Sequence, residues 1–60
     1  MPIVTVQQSP RDLDSRRRLV AGITEAFVAA YGISPDAVQV FIHDVDDEHW
    51  AKGGTLAADR

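Results

Sequence analysis

Two short segments with strand-like periodicity flank one long helical segment, and this order most restricts what the chain can fold into. Residues 3–7 are mostly β-branched and partly alternate, whereas residues 38–43 alternate strictly between two faces. Between them, apolar residues recur at helical spacing from Leu19 to Tyr31. A strand, a helix of about five turns and a second strand form a βαβ unit with parallel strands and a right-handed crossover. The sequence therefore predicts an α/β (α+β) fold built on a single βαβ unit.

Local signals define the ends of these elements. Asp12 is placed as the N-cap of the helix, and Gly32 suits the left-handed residue that ends it. Gly53-Gly54 predicts a tight turn and hence a short C-terminal hairpin that packs on a neighbouring subunit. The apolar stripe expected on the helix comprises Leu19, Val20, Ile23, Ala26, Phe27, Ala30 and Tyr31.

The chain is too short to bury its apolar side chains by itself. It has 60 residues, of which 45% are hydrophobic, and it has no cysteine. A domain of this size buries only about 60% of the surface that its unfolded chain exposes. Disulfides are excluded, and a sheet of two strands leaves both edges unpaired. We therefore expect residues 1–60 to form one domain that assembles into an oligomer.

Charge and hydropathy disfavour several classes of partner. The formal net charge of −3 argues against non-specific nucleic-acid binding, which needs a basic surface. No charged segment followed by an apolar stretch marks a secretory signal at the N-terminus. The longest run of small or apolar residues, from Ala26 to Tyr31, is far too short to span a bilayer. We expect a cytoplasmic protein with no nucleic-acid or membrane partner.

Pro2 is the first candidate for chemistry, because removal of Met1 makes its nitrogen a free secondary amine. An α-amino group has a reference pKa of about 8, and a dry pocket lined with cations lowers it towards neutrality. A base with a pKa near the working pH is the most effective. With Met1 attached, the nitrogen is an amide and has no basic lone pair. Met-Pro starts also arise by chance, since proline makes up about 5% of residues.

Arginines provide the candidate anion site. Arg11 follows the first strand, where connections line clefts in α/β units, and its planar guanidinium fits a carboxylate. The alternative, which the sequence alone favours, is a solvated loop arginine. The run Arg16–Arg18 lies mostly off the apolar stripe. A basic run of this kind can attract an anionic substrate. More often it forms a solvated face, or it pairs with acidic residues of another subunit, here the segment 44–48.

The remaining candidates are aromatic or titratable. Trp50, the only tryptophan, either keeps water from a nearby amine or anchors an interface, and both roles are compatible. His43 and His49 flank acidic residues, but their spacing matches no zinc or calcium motif, so we expect a solvated loop and no metal. The sequence has no phosphate-binding glycine loop and no dinucleotide fingerprint.

Taken in order along nearly the whole chain, these residues resemble the 4-oxalocrotonate tautomerase family. The matching features are residues 1–6, Arg11, the helix through Leu19, Ile23 and Ala26, the strand at 38–42, and residues 49–54. The resemblance implies a βαβ subunit in a homohexamer built from dimers, with no cofactor or metal. It also implies an isomerase in which Pro2, freed of Met1, moves a proton on a small 2-hydroxy-dienoate or 2-oxo acid.

The same resemblance assigns roles to further residues. Arg11 would bind a substrate carboxylate, and Trp50 stands where the family commonly has a phenylalanine that keeps the pocket apolar. The family's second substrate-binding arginine is replaced by Gln39, which can hydrogen-bond a substrate but has no charge. The interval from Pro2 to Arg11 is also one residue shorter than in the best-known members.

These departures leave three alternatives open. The same fold and proline also serve dehalogenation or decarboxylation in relatives of the family. A non-catalytic oligomer that binds small acids is the second alternative. The third concerns assembly, because a dimer or a trimer would also cover the apolar surface.

Overall fold

The backbone follows the predicted order of strand, helix, strand and hairpin. A computed structural model describes all residues from 1 to 60. The main elements are β1 (Ile3–Gln8), α1 (Leu13–Tyr31), β2 (Gln39–Asp44), β3 (Ala51–Lys52) and β4 (Thr55–Leu56). Single turns of 3-10 helix lie at Pro35–Ala37, Asp47–His49 and Ala57–Asp59.

β1 and β2 pair in parallel, which confirms the βαβ unit. Their register runs from Ile3 opposite Gln39 to Gln8 opposite Asp44. Backbone hydrogen bonds continue the pairing at both ends: the Gln39 amide donates to the Pro2 carbonyl at 3.0 Å, and the Val45 amide donates to the Gln8 carbonyl at 2.8 Å. Both strands extend one residue beyond the predicted end, because this pairing continues past the last apolar position of the pattern.

The helix begins and ends at the predicted capping residues. The Asp12 carboxylate accepts hydrogen bonds from the Ser15 amide at 3.1 Å and the Ser15 hydroxyl at 2.6 Å. At the other end Gly32 adopts a φ of 64°, and its amide donates to the Val28 carbonyl at 2.9 Å. A left-handed residue at this position costs least when it is glycine, so the helix stops there.

The helix covers one face of the two-stranded sheet. The half-buried strand residues are Val4, Val6, Gln8, Val40 and Ile42. The half-buried helix residues are Ser15, Arg16, Val20, Ile23, Thr24, Phe27 and Val28. The predicted stripe is therefore only partly right: Arg16 lies on the covered face, whereas Leu19, Ala26, Ala30 and Tyr31 are exposed. Two strands are too narrow to cover the whole apolar width of the helix.

A hairpin closes the C-terminal part of the chain, as predicted. Gly53 and Gly54 have φ values of 61° and 83°. A type I′ turn, which is common in two-residue hairpins, requires a positive φ at both central residues. The two glycines connect β3 to β4 with Lys52 opposite Thr55. The Arg60 guanidinium donates to the Lys52 carbonyl at 3.0 Å, so the last residue is fixed against the hairpin.

The subunit is flat and leaves all of its side chains at least partly accessible. Its extents are 44 × 23 × 13 Å, and none of its residues is buried. The accessible surface is 4640 Å², whereas a compact monomer of this mass exposes about 3,900 Å². The flat subunit therefore exposes roughly 750 Å² more than a compact monomer would. We expect self-association to complete the apolar core.

The outer face of the sheet is the largest uncovered surface of the strands. It presents Ile3, which is 64% exposed, and Phe41, which is 51% exposed, next to Thr5. On the helix, Tyr31 is 67% exposed. No helix in the structure combines the length and the apolar content that crossing a bilayer requires.

Replacing Phe41 with aspartate should dissociate the assembly. An unpaired carboxylate in an apolar interface costs about 3–5 kcal/mol, which weakens association by roughly a hundredfold or more at each contact. Sedimentation velocity at micromolar concentration measures the change, and Phe41→Leu, which keeps the face apolar, is the matched control. A Phe41→Asp variant that sediments like the wild type would show that the outer face is not an interface.

The helix cap predicts a specific pH dependence. The hydrogen bonds from Ser15 lower the pKa of Asp12 from its ordinary value of 3.8. A lowered folded-state pKa means that the cap stabilises the fold fully above pH 3.8 and loses this effect as the pH falls through the lowered value. Asp12→Asn keeps a capping side chain but has no titrating group.

We therefore expect the wild type to lose stability relative to Asp12→Asn as the pH is lowered from about 6 to about 3. Urea midpoints at one fixed protein concentration give this difference, since association also affects stability. An unchanged difference over that range would rule out the charged cap.

Candidate active site

Pro2 lies at the amino end of β1 and is half-buried. Its carbonyl accepts a hydrogen bond from the Gln39 amide at 3.0 Å. This hydrogen bond fixes Pro2 beside the start of β2. Met1, by contrast, is 86% exposed. The parallel pairing thus holds the Pro2 nitrogen at a defined place at the amino edge of the sheet.

Gln39 is the first residue of β2 and stands opposite Ile3 on the exposed outer face. Its side chain makes no hydrogen bond within the chain. The structure therefore brings two of the predicted site residues, Pro2 and Gln39, to the same edge. Gln39 brings no charge to this edge at the position where the family resemblance implies an arginine.

Arg11 lies at the opposite end of β1. Its guanidinium takes part in none of the ion pairs within the chain. It lines a cleft of about 190 Å³ together with Gln8, Ser15, Arg16 and Leu19. A strand rises about 3.3 Å per residue, so the Cα atoms of Pro2 and Gln8 are about 20 Å apart. One chain does not bring Arg11 to Pro2.

Trp50 also lies near the carboxyl end of the strands, on the outer side of the sheet. It is 38% exposed and lines a second cleft, of about 330 Å³, with Gln7, Val45, His49 and Ala51. The Ala57 amide donates a hydrogen bond to the Trp50 carbonyl at 2.7 Å, which fixes the backbone of Trp50. The four predicted site residues thus divide into two groups at opposite ends of the subunit.

The acidic residues of this segment are exposed, as expected for solvated side chains, but the backbone is not a plain loop. Asp44 belongs to β2, and Asp47–His49 forms a turn in which His49 hydrogen-bonds to the Asp46 carboxylate. This hydrogen bond lowers the pKa of Asp46. No three histidine, aspartate or glutamate side chains are grouped so that they could hold a metal ion.

The arginine run is split by the structure. Arg17 pairs with Asp14 at 2.8 Å and is largely exposed, as expected for a solvated face. Arg16 approaches Asp44 of the same chain at 3.9 Å, whereas pairing of the run with the acidic residues of another subunit stays a prediction. The contact arises because β2 extends to Asp44, close to the first turn of the helix.

Gln8 and Arg16 are the polar residues that sequence reasoning missed. Gln8 Nε2 and Arg16 Nε are inaccessible to solvent and have no hydrogen-bond partner. The spacing of these residues from their apolar neighbours indicates that both lie on the covered faces. Gln8 continues the two-residue series of Val4 and Val6, and Arg16 lies four residues before Val20 on the same helical face.

Comparison with known proteins gives consistent matches. A family model described as tautomerase enzyme matches residues 2–60. The 2-hydroxymuconate tautomerase of Bacillus subtilis (strain 168) is 35% identical over 60 residues, which cover 98% of this chain and 97% of that protein.

Solved structures agree. The crystal structure of YwhB, a homologue of 4-oxalocrotonate tautomerase, superposes with a TM-score of 0.90 at 33% identity, covering 98% of both chains. A structure of the 4-oxalocrotonate tautomerase isozymes from Methylibium petroleiphilum gives a TM-score of 0.88 at 34% identity. That match covers 95% of this chain and 91% of the other.

Proposed function

The chain belongs to the tautomerase family of enzymes, and we propose that it moves a proton on a small 2-hydroxy-dienoate or 2-oxo acid, with the Pro2 nitrogen as general base. The family makes the protein an isomerase, and its βαβ unit with a C-terminal hairpin is the tautomerase-like fold. The observation that supports the finer proposal best is the placement of Pro2: half-buried and anchored through its carbonyl to Gln39.

The base requires a free nitrogen, so the proposal includes removal of Met1. The family match begins at residue 2 and leaves Met1 outside the matched residues. Met1 is also largely exposed. Once freed, the nitrogen has a reference pKa of about 8, which partial desolvation and a nearby guanidinium lower towards neutral pH.

The site forms between subunits, because Arg11 of the same chain is too far from Pro2. In the assembly, which we propose is a homohexamer, the amino edge of one subunit meets the carboxyl edge of another. Arg11 of that neighbour then binds the substrate carboxylate, and its Trp50 excludes water from the base. Gln39 donates a hydrogen bond to a substrate oxygen.

The chemistry needs no group beyond these side chains. The neutral Pro2 nitrogen takes a proton from the substrate, and the electron pair moves into a dienolate whose charge Arg11 stabilises. The proton leaves the 2-hydroxyl oxygen of a 2-hydroxy-dienoate or a carbon next to the 2-oxo group, and the protonated nitrogen then delivers it to another carbon of the same anion. Base and substrate leave the cycle with the same number of protons and electrons as they entered it.

Chemical capping tests the base directly. Lys52 is the only lysine, so in Lys52→Arg the terminal nitrogen is the only amine that acetylation can reach. We expect the intact mass of the active protein to lack methionine, and acetylation of Lys52→Arg to abolish turnover of a 2-hydroxy-dienoate. Without acetylation, kcat/KM should fall as the pH drops below the pKa of the amine, because a general base must be neutral. Activity that survives acetylation, or a profile with the limb reversed, would exclude this mechanism.

Arg11→Ala should lower kcat/KM roughly ten- to a hundredfold, since a charge-assisted contact contributes about 1.5–3 kcal/mol. Arg11→Lys, which retains the charge but not the planar fork, should fall between the alanine variant and the wild type. Wild-type kinetics for the alanine variant would contradict the role of Arg11.

Hybrid oligomers test whether the site is shared. Arg11→Ala subunits should be weakly active and acetylated Lys52→Arg subunits inactive, but mixed assemblies pair an intact Pro2 with an intact Arg11. Mixing after denaturation and refolding should therefore raise the activity above that of the Arg11→Ala subunits alone. If the mixture is no more active than the Arg11→Ala subunits that it contains, Pro2 and Arg11 act within one chain or not at all.

A further inference from the structure

The outer face of the two-stranded sheet carries no permanent charge. Alternate residues of β1 and β2 point to this side, and the register sets them in pairs. The pairs are Ile3 with Gln39, Thr5 with Phe41, and Gln7 with His43. All of these residues are exposed in the single chain. Charged residues make up 25% of the sequence, yet none of them lies on this face, so the face is neutral unless His43 takes up a proton.

A neutral face can pack against a copy of itself. Contact between identical faces sets each group against the groups of the other copy, so a face with fixed charges of one sign would repel its copy. Ile3 and Phe41, both more than half exposed, provide apolar surface for such a contact. Charged residues are depleted in the cores of protein interfaces, as they are here. The partner that fits this face is therefore a second copy of the same chain.

His43 is the one titratable side chain on the outer face. Gln7 lies opposite it, and Phe41 precedes it by two residues on the same side. Its ring makes no hydrogen bond and no ion pair within the chain. The following residue, Asp44, lies on the helix side of the sheet, where Arg16 approaches it at 3.9 Å. No carboxylate on the outer face is therefore available to pair with a protonated His43.

The other histidine of the chain has a different environment. His49 lines the cleft of Trp50 together with Gln7, and its ring is hydrogen-bonded to the Asp46 carboxylate. Asp59 belongs to the 3-10 turn that packs against the turn of His49. A copy of the outer face that docks on His43 brings one titratable group, its own His43. Protonation thus places two like charges in this contact and no compensating anion.

We propose that the outer face docks on the same face of a second copy only while His43 is neutral, and that protonation of His43 breaks this contact. An unpaired charge in an apolar interface is strongly unfavourable, whereas in a separated subunit the exposed ring is hydrated. The separated subunits therefore bind more protons than the assembly. Acid then favours the separated state, and the contact is strongest on the alkaline side of the range from pH 5 to 8 in which histidine gains its charge.

The test is the dissociation constant of the full chain at about pH 8 and at about pH 5.5. Sedimentation with fluorescence detection, over a dilution series that extends to nanomolar concentration, measures this constant. At about pH 5.5 an ordinary imidazole is about nine-tenths protonated in water. The dissociation constant of the wild type should therefore rise about tenfold for each His43 in the contact.

Matched variants assign this rise to His43. His43→Gln keeps the face neutral at both pH values, so its dissociation constant should not rise in acid. His49→Gln removes the other histidine and should retain the rise of the wild type. His43→Arg places a permanent charge on the face and should weaken assembly already at about pH 8.

A wild type with the same dissociation constant at both pH values, or one that stays assembled throughout the dilution series at both, would overturn the proposal. So would a His43→Gln variant that dissociates in acid as the wild type does. Circular dichroism establishes that each variant is folded. If His43→Gln does not assemble at about pH 8, His43→Leu, which is also neutral, decides the outcome, and failure of both to assemble would show that neutrality is not what the contact requires.

These measurements involve no substrate, so their outcome does not depend on the proposed function. A protein that has no tautomerase activity but dissociates in acid through His43 supports this proposal alone. A protein that turns over a 2-hydroxy-dienoate and assembles equally well at both pH values supports the proposed function alone.

Discussion

The whole structure depends on apolar surface that one 60-residue chain cannot cover. A single helix lies over one face of two paired strands, and no residue is buried. The other face presents Ile3 and Phe41 to solvent. The hydrophobic effect favours burial of this apolar surface, and only contacts with other chains can bury it. The folding of one chain and its association with others are therefore a single process. Stability is therefore a property of the assembly.

The same constraint explains why the site is divided. Pro2 and Gln39 lie at the amino edge of the sheet, whereas Arg11 and Trp50 lie beyond its carboxyl edge. A strand of six residues is a rigid spacer between them. In an assembly that brings opposite edges together, the interfaces that bury the apolar faces also bring a cation and an aromatic ring to the base. In the proposed mechanism, association thus provides both stability and the low-dielectric surroundings that Pro2 needs as a base.

Features with local causes could be predicted from the sequence. The Asp12 cap, the stop at Gly32 and the turn at Gly53 each follow from the conformational or hydrogen-bonding preference of one or two residues. The parallel sheet could be predicted because two segments with strand periodicity flank one segment with helical periodicity. The inner position of Arg16 was missed because a charged residue was assigned to solvent by its type, although its spacing from Val20 placed it on the covered face. The separation of Pro2 from Arg11 also follows from the strand that lies between them, at about 3.3 Å per residue, whereas the neighbouring subunit that would supply the other half of the site could not be predicted from residue type.

In the proposed site, assembly places a free Pro2 nitrogen in a dry, cation-lined environment that lowers its pKa. A titration of protein labelled with nitrogen-15 at proline measures this directly, in the wild-type assembly and in dissociated Phe41→Asp. The prediction is a pKa clearly below the reference value of about 8 in the assembly and a return towards that value on dissociation. The same pKa in both states, or a nitrogen that does not titrate, would contradict it.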